Sequence, residues 1–215
     1  VHFHQTSTKS AANAPATTQS ARLLAARRHP GFDTHAQRTA WLAMELAKAC
    51  GLSGETCSVT ALAAQFHDIG KGSLPLDLLD QRDALSEHQR RAMQTHPELG
   101  ARVIRYGSVC SIEDKRLCIH AAMFHHERWD GSGYPSGLAA AEIPEIARLV
   151  AVVDVFDALY SERPYKPAWP LRRCIDYIRS HAGSQFDPGF AAVFVTLASD
   201  LPGDWDKLAL QPRAG

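Results

Sequence analysis

The sequence predicts an all-α protein, a multi-helix bundle, on three observations. From about residue 20 onward the apolar residues recur at helical spacing almost everywhere. No stretch alternates apolar and polar residues as a half-buried strand would. Histidines and aspartates recur at inward-facing positions about 30 residues apart, a gap that suits one helix out and one back in a bundle.

The elements follow in order. Residues 1–19 are rich in Ser, Thr, Ala, Asn and Gln and hold no large apolar residue after Phe3. They cannot bury enough surface to offset the entropy of ordering, so a disordered tail or linker is expected there. The folded domain is expected over 20–200, with 201–215 as a C-terminal tail. His35, Arg38, Leu42, Leu46 and Ala49 mark one stripe of a helix that ends at Gly51, and Val59, Leu62 and Phe66 mark the next. Ser86 and Gln89 have the spacing of a capping box, with Leu85 before them as the start of a hydrophobic staple. Pro97 should interrupt that helix and open another at its first turn. Leu117, Ala121 and His125 repeat at i, i+4, as do Cys118, Ala122 and His126. From Glu127 to Glu142 a Gly-rich stretch has no period and reads as a long functional loop. Helix resumes at Ile143 and runs through Asp154 towards Ser161, and two more are expected near 170–181 and 187–200.

Composition narrows the partners. Of 215 residues 45% are hydrophobic, enough for a core. Lys plus Arg, at 23, equals Asp plus Glu. That balance argues against duplex nucleic acid or an anionic membrane as partner. A small phosphorylated ligand needs only local positive potential. The five cysteines are odd in number and form no C-x-x-C pair, as expected of a reduced cytosolic chain. No apolar run approaches the roughly 18 residues of a membrane span. Leu149 to Leu159 comes nearest, and it carries Asp154 and Asp157. No basic stretch followed by an apolar core marks a signal peptide.

The chemistry lies in the inward-facing polar residues: His35, His67, Asp68, His96, His125, His126 and Asp154. An unpaired carboxylate at Asp154, within Leu149-Val-Ala-Val-Val-Asp-Val-Phe, would cost several kcal/mol, so a cation must meet it. A structural arginine is the alternative to a metal. Neighbouring helical residues point about 100° apart, so His67 and Asp68 share a cavity only at a helix end or around a wide site. His125 and His126 put two imidazoles in one otherwise apolar helix, a burial cost that metal ligation would offset. Imidazole and carboxylate without thiolate favour a first-row metal such as iron or manganese over structural zinc. Two divalent ions would leave such a centre positively charged, suited to a phosphodiester and able to generate a nucleophile at neutral pH.

Three strings carry a resemblance: His67-Asp-Ile-Gly-Lys71, His125-His-Glu-Arg-Trp-Asp-Gly-Ser-Gly-Tyr-Pro135 and Asp154-Val-Phe-Asp-Ala-Leu-Tyr-Ser-Glu-Arg-Pro-Tyr-Lys166. Together, in this order, they resemble the HD-GYP branch of the HD phosphohydrolases over roughly residues 30–195. The resemblance implies an HD-type bundle with the metal centre in its core and a long GYP loop. It implies a bacterial cytoplasmic enzyme that opens cyclic di-GMP to linear pGpG and often continues to GMP. It assigns one metal to His35, His67, Asp68 and Asp154. Asp68 would bridge to a second, completed by His96, His125 and His126, with a bridging water or hydroxide as nucleophile. Iron is the first choice of metal by resemblance and manganese the next.

Lys71 would reach a phosphate or leaving-group oxygen, and Arg163 and Lys166 would hold the ligand phosphates. Gly131, Gly133, Tyr134 and Pro135 form the loop that names the family. Tyr134 either borders a guanine or completes a structural turn. Arg38 is expected as a supporting partner rather than a ligand, and no role falls to His88, His120 or His181.

Departures from the family pattern set further expectations. Gly31 stands where three-metal members carry a glutamate, so two metals are expected. Gly72-Ser73-Leu74-Pro75 suggests a looser rim near Lys71, and Tyr160 a narrower mouth. Other cyclic dinucleotides remain open as substrates. So does an adaptor role, with the loop from Trp129 to Pro135 docking a diguanylate cyclase.

Overall fold

Helix formation begins, in the described part of the chain, with an 18-residue amphipathic segment. The computed structural model describes residues 32–210 except 82, 109, 112–113, 163–166 and 204. The expected tail over 1–19, Gly31, Arg163 and Lys166 lie outside the described residues. Helix α1, Phe32–Ala49, buries Ala36, Thr39, Leu42, Ala43, Leu46 and Ala47 along one face. Ala49 does not share that stripe and is exposed, because the helix is already yielding to the turn at Gly51, which has φ +75°. Glycine takes that conformation without steric cost.

Helix α2, Gly54–Phe66, starts where the Ser53 side chain accepts from Thr56 N–H. Its buried face runs through Cys57, Thr60, Ala63, Ala64 and Phe66, while Val59 and Leu62 are half-buried. Small residues on this face let α1 and α2 pack along their length. A 3-10 turn, Ile69–Ser73, and a single helical turn, α3 (Leu76–Leu79), follow. Leu74 and Leu78 are buried, so the segment after Lys71 is anchored to the core rather than loose.

Ser86 and Gln89 form both bonds of the capping box that opens α4, Glu87–Met93. Helix α5, His96–Tyr106, begins with Pro97 in its first turn, as the proline dictates. Gly70 of the 3-10 turn meets Gly100 of α5 backbone to backbone. A Cβ on Gly70 would lie 2.0 Å from His96 O and 2.4 Å from Gly100 N. Helix α6, Lys115–Phe124, packs on α5 and α2.

The long loop ends in a 3-10 turn at Ala140–Glu142, and α7 spans Glu145–Tyr160. It starts two residues later than expected because Pro144 stands at its N-cap and Ile143 is buried outside the helix. Nine of its 16 residues are buried, and it contacts α1, α2, α6, α8 and α9. A helix apolar on nearly every side is a central one. Helices α8, Leu171–Ser180, and α9, Pro188–Ser199, flank it. Among the described residues there is no strand, only an isolated bridge between Ala182 and Phe186.

Of the tail expected over 201–215, the described helical stretch corrects to part of the fold. Helix α10, Trp205–Ala209, places Trp205 wholly inside the core, stacked on Trp41 with centroids 6.0 Å apart. Tyr160 corrects as well. It lies parallel to Phe156 at 6.0 Å and against Trp205 at 5.3 Å, so its ring belongs to an aromatic cluster and not to a substrate mouth.

Candidate metal centre

Both adjacent pairs lie at helix ends. His67 caps α2 with helical backbone, and Asp68 has left the helix at φ −97°, ψ 7°, which turns both side chains to one cavity. His125 caps α6 in the same way, and His126 follows it. His96 opens α5, His35 closes the first turn of α1, and Asp154 comes from the middle of α7.

The seven side chains gather as two clusters. In the first, His35 Nε2 lies 3.3 Å from Asp154 Oδ1 and 3.4 Å from His67 Nε2. His67 Nε2 is 3.6 Å from the same Asp154 oxygen. In the second, Asp68 Oδ1 is 3.2 Å from His96 Nε2 and 3.6 Å from His125 Nε2, which are 3.3 Å from each other. His126 completes this group. Asp68 belongs to both neighbourhoods, since its Oδ2 is 3.4 Å from His67 Nε2 and 3.8 Å from His35 Nε2.

What faces the cavity is decided on the far side of each ring. Nδ1–H donates to Ala64 O in His67 at 2.6 Å, to Met93 O in His96 at 2.8 Å, and to Ala121 and Ala122 O in His125 at 3.0 Å. In His35 it donates to Asp157 Oδ2 at 2.7 Å. A carbonyl only accepts, so the proton sits on Nδ1 and each neutral ring presents a lone pair at Nε2. Lone pairs of four imidazoles thus converge on each other and on two carboxylates. Asp68 Oδ1 is buried and has no hydrogen-bond partner. Such an arrangement of acceptors needs cations between them, and imidazole with carboxylate suits divalent first-row metals.

Protons fill the need unevenly when no metal is considered. Burial lowers His67, but the Asp68 and Asp154 carboxylates outweigh it and raise the imidazole to about 10. His35 is likewise raised: its burial is overcome by Asp154 and Asp157. Burial brings His125 down to about 4, and holds His126 well below the usual histidine range with His125 adding to the effect. Asp68 and Asp154 stay well below the carboxylate range despite burial. Lys71 and His67 hold Asp68 down, and His35 and His67 hold Asp154 down.

Lys71 Nζ donates to Asp68 Oδ2 at 2.5 Å from the rim, where its side chain is partly exposed. Arg38 is the supporting partner expected of it, at one remove. Its guanidinium grips both oxygens of Asp157, at 2.5 and 3.0 Å, and donates to Ser161 Oγ at 2.7 Å. Asp157 in turn orients His35. Asp157 is the residue that the sequence reading missed. Its signal was its place three residues after Asp154, on the same side of α7.

The GYP loop folds back on the second cluster. Tyr134 stacks on His126 with centroids 4.7 Å apart and planes 23° apart, so one face of its ring is taken by a cluster histidine. Of its two expected roles, the structural one is the one this packing serves. A Cβ on Gly133 would lie 2.4 Å from Arg128 N and 2.5 Å from Glu127 Cα, so glycine is required there by close backbone approach. Glu127, also missed, is 3% exposed and accepts from Ser136 N–H at 2.7 Å. His120 and His181 stand apart from both clusters, beside Phe124 and Tyr177.

The chain is similar to several known proteins. The HD domain family model matches residues 19–190. The chain is 39% identical over 163 residues to the cyclic di-GMP phosphodiesterase response regulator RpfG of Xanthomonas campestris, covering 75% of this chain and 42% of that one. It is 30% identical over 175 residues to the 3'3'-cGAMP-specific phosphodiesterase 2 of Vibrio cholerae, covering 78% and 33%. The chain therefore spans less than half the length of these relatives. Among solved structures, Bd1817, an HDG"Y"P protein from Bdellovibrio bacteriovorus, shares the fold with a TM-score of 0.62 at 20% identity, covering 78% of this chain and 52% of that one. A family match over most of the chain, three motif strings and seven converging side chains lead to one assignment: this chain belongs to the HD-domain family, in its HD-GYP branch.

Proposed function

We propose that this chain is a metal-dependent phosphodiesterase that opens cyclic di-GMP to linear pGpG. The observation that carries the reading is Asp68, a buried carboxylate with an orphaned oxygen, standing between two clusters of imidazole lone pairs. In this reading His35, His67, Asp68 and Asp154 hold one divalent ion, and Asp68, His96, His125 and His126 hold another. Bound there, two such ions neutralise charge on the phosphoryl group and make a water nucleophilic at neutral pH.

The chain's own groups do the rest. Backbone carbonyls fix the rings of His67, His96 and His125 before substrate arrives, so little reorganisation is needed at the moment of reaction. Lys71 stands at the rim of the cavity, already bonded to Asp68. There it meets a non-bridging phosphate oxygen or gives a proton to the leaving ribose oxygen. Arg163 and Lys166 hold the two phosphates of the cyclic dinucleotide, a charge match that needs no excess of basic residues elsewhere.

Iron is the metal of this reading, with manganese next, and the bacterial cytoplasm is its location. Among the described residues no helix is long and apolar enough to cross a membrane. The relative that acts on 3'3'-cGAMP supports a second substrate, a mixed guanine–adenine dinucleotide, with the same chemistry. In the adaptor reading the loop from Trp129 to Pro135, exposed at Asp130 and Ser132, is where a diguanylate cyclase would dock.

The test is anaerobic turnover of cyclic di-GMP by protein reconstituted separately with Fe(II) and Mn(II), with products separated chromatographically. Linear dinucleotide or GMP is expected from the wild type and from neither His67→Ala nor Asp68→Ala. No product from metal-loaded wild type would sink the cyclic di-GMP reading, and turnover of 3'3'-cGAMP alone would replace it.

A further inference from the structure

Each of the cluster histidines has something that fixes its ring, and His126 is held differently from the rest. His35, His67, His96 and His125 are tethered through Nδ1 to a carboxylate or a carbonyl. Among the described residues no hydrogen bond reaches either ring nitrogen of His126. Three rings pack against it. His96 stands edge-on at 4.9 Å, His125 is tilted at 4.1 Å, and Tyr134 lies nearly parallel at 4.7 Å. The first two are themselves ligands in the proposed centre, which leaves Tyr134 as the support that comes from outside the cluster.

Tyr134 is in turn held against the strand of chain that carries His126. Its N–H donates to His126 O at 3.2 Å. Gly133 lies flush on the Glu127 and Arg128 backbone, where no side chain fits. On the other side of the tyrosine, Ser136 N–H is bonded to the buried Glu127 carboxylate. Three contacts thus clamp the Gly-Tyr-Pro turn onto the three residues that follow His125.

The geometry assigns Tyr134 as the positioning residue for His126, with Glu127 closing the clamp. The inference rests on the two-ion reading above and adds to it that the loop supports only one of the two ions, the one held by Asp68, His96, His125 and His126. The phenol oxygen has no part in this, because the stacked face does the work. Tyr134→Phe should therefore behave as the wild type.

The test is Mn(II) content after reconstitution and gel filtration, for wild type, Tyr134→Phe, Tyr134→Ala and Glu127→Gln, each first shown to be folded by its thermal midpoint. The expected result is two ions per chain in the wild type and in Tyr134→Phe. Tyr134→Ala should keep one and bind the other about 10- to 100-fold more weakly, the usual effect of removing a ligand's support. Glu127→Gln should fall between, since an amide oxygen still accepts from Ser136. Two ions bound with unchanged affinity in Tyr134→Ala would overturn the positioning role while leaving the two-ion reading standing. Equal weakening of both ions would also overturn it, because the clamp would then support the whole site. A wild type with fewer than two ions would contradict the two-ion reading and take this inference with it.

Discussion

The two halves of the centre solve the same problem with different materials. Around His35 and His67 carboxylates dominate: Asp154 faces both rings, and Asp157, gripped by Arg38, backs His35, while the far side of His67 is held by Ala64 O. Around His96, His125 and His126 the support is neutral, made of backbone carbonyls and a stacked tyrosine. The difference shows in the protons. His35 and His67 are raised by their carboxylates after burial is overcome, and His125 and His126 are lowered chiefly by burial. His35 and His67 must therefore give up protons to take a metal, while His125 and His126 stand ready with free lone pairs.

Asp68 is common to both halves, and its removal is the harshest way to break the comparison. Asp68→Ala should lose both ions and lower turnover more than about 10³-fold, consistent with several kcal/mol of transition-state stabilisation. Metal analysis beside product analysis checks it, and retention of two ions would show that the halves are independent.

Gly70→Ala strikes the neutral half through the backbone. Its Cβ would fall 2.0 Å from His96 O, so α5 must move. A loss of about 3 kcal/mol in chemical denaturation is expected, as for severe overpacking. Asp157→Asn tests the ionic half alone. It should weaken one ion roughly 10- to 100-fold by equilibrium metal titration and leave the other unchanged.

A change of pH sharpens the comparison without a substitution. His67 in the folded, metal-free protein is raised from 6.5 to about 10. Its stabilisation is complete below pH 6.5, where folded and unfolded chains both hold the proton, and is lost as pH rises towards 10. The thermal midpoint of metal-free protein should fall over that interval. With a divalent ion in place of the proton, the fall should be shallower.

The halves also differed in how far the sequence disclosed them. All seven candidate ligands were legible, because a histidine or aspartate at an inward position of an apolar helix is chemically expensive and so conspicuous. The angle between neighbouring residues left His67 and Asp68 either a helix end or a wide site, and the helix end is where they lie. The supports were harder to see. Asp157 meets His35 across 122 residues of chain, and no local pattern announces that pairing. Tyr134 offers a flat face suited equally to a base or to an imidazole, and only tertiary packing decides between them. Trp205 was hidden for a different reason: a five-residue helix has no period to detect, so a wholly buried indole read as tail. Ala49 failed in the opposite sense, since spacing alone does not show where a helix begins to leave the core.

The comparison is tested most directly by titrating metal-free protein with Mn(II) at pH 6.5 and 8.5, following free ion by electron paramagnetic resonance. Two ions per chain are predicted at the higher pH, one gaining affinity steeply between the two values and the other changing little. A single ion, or two with the same pH dependence, would contradict the account.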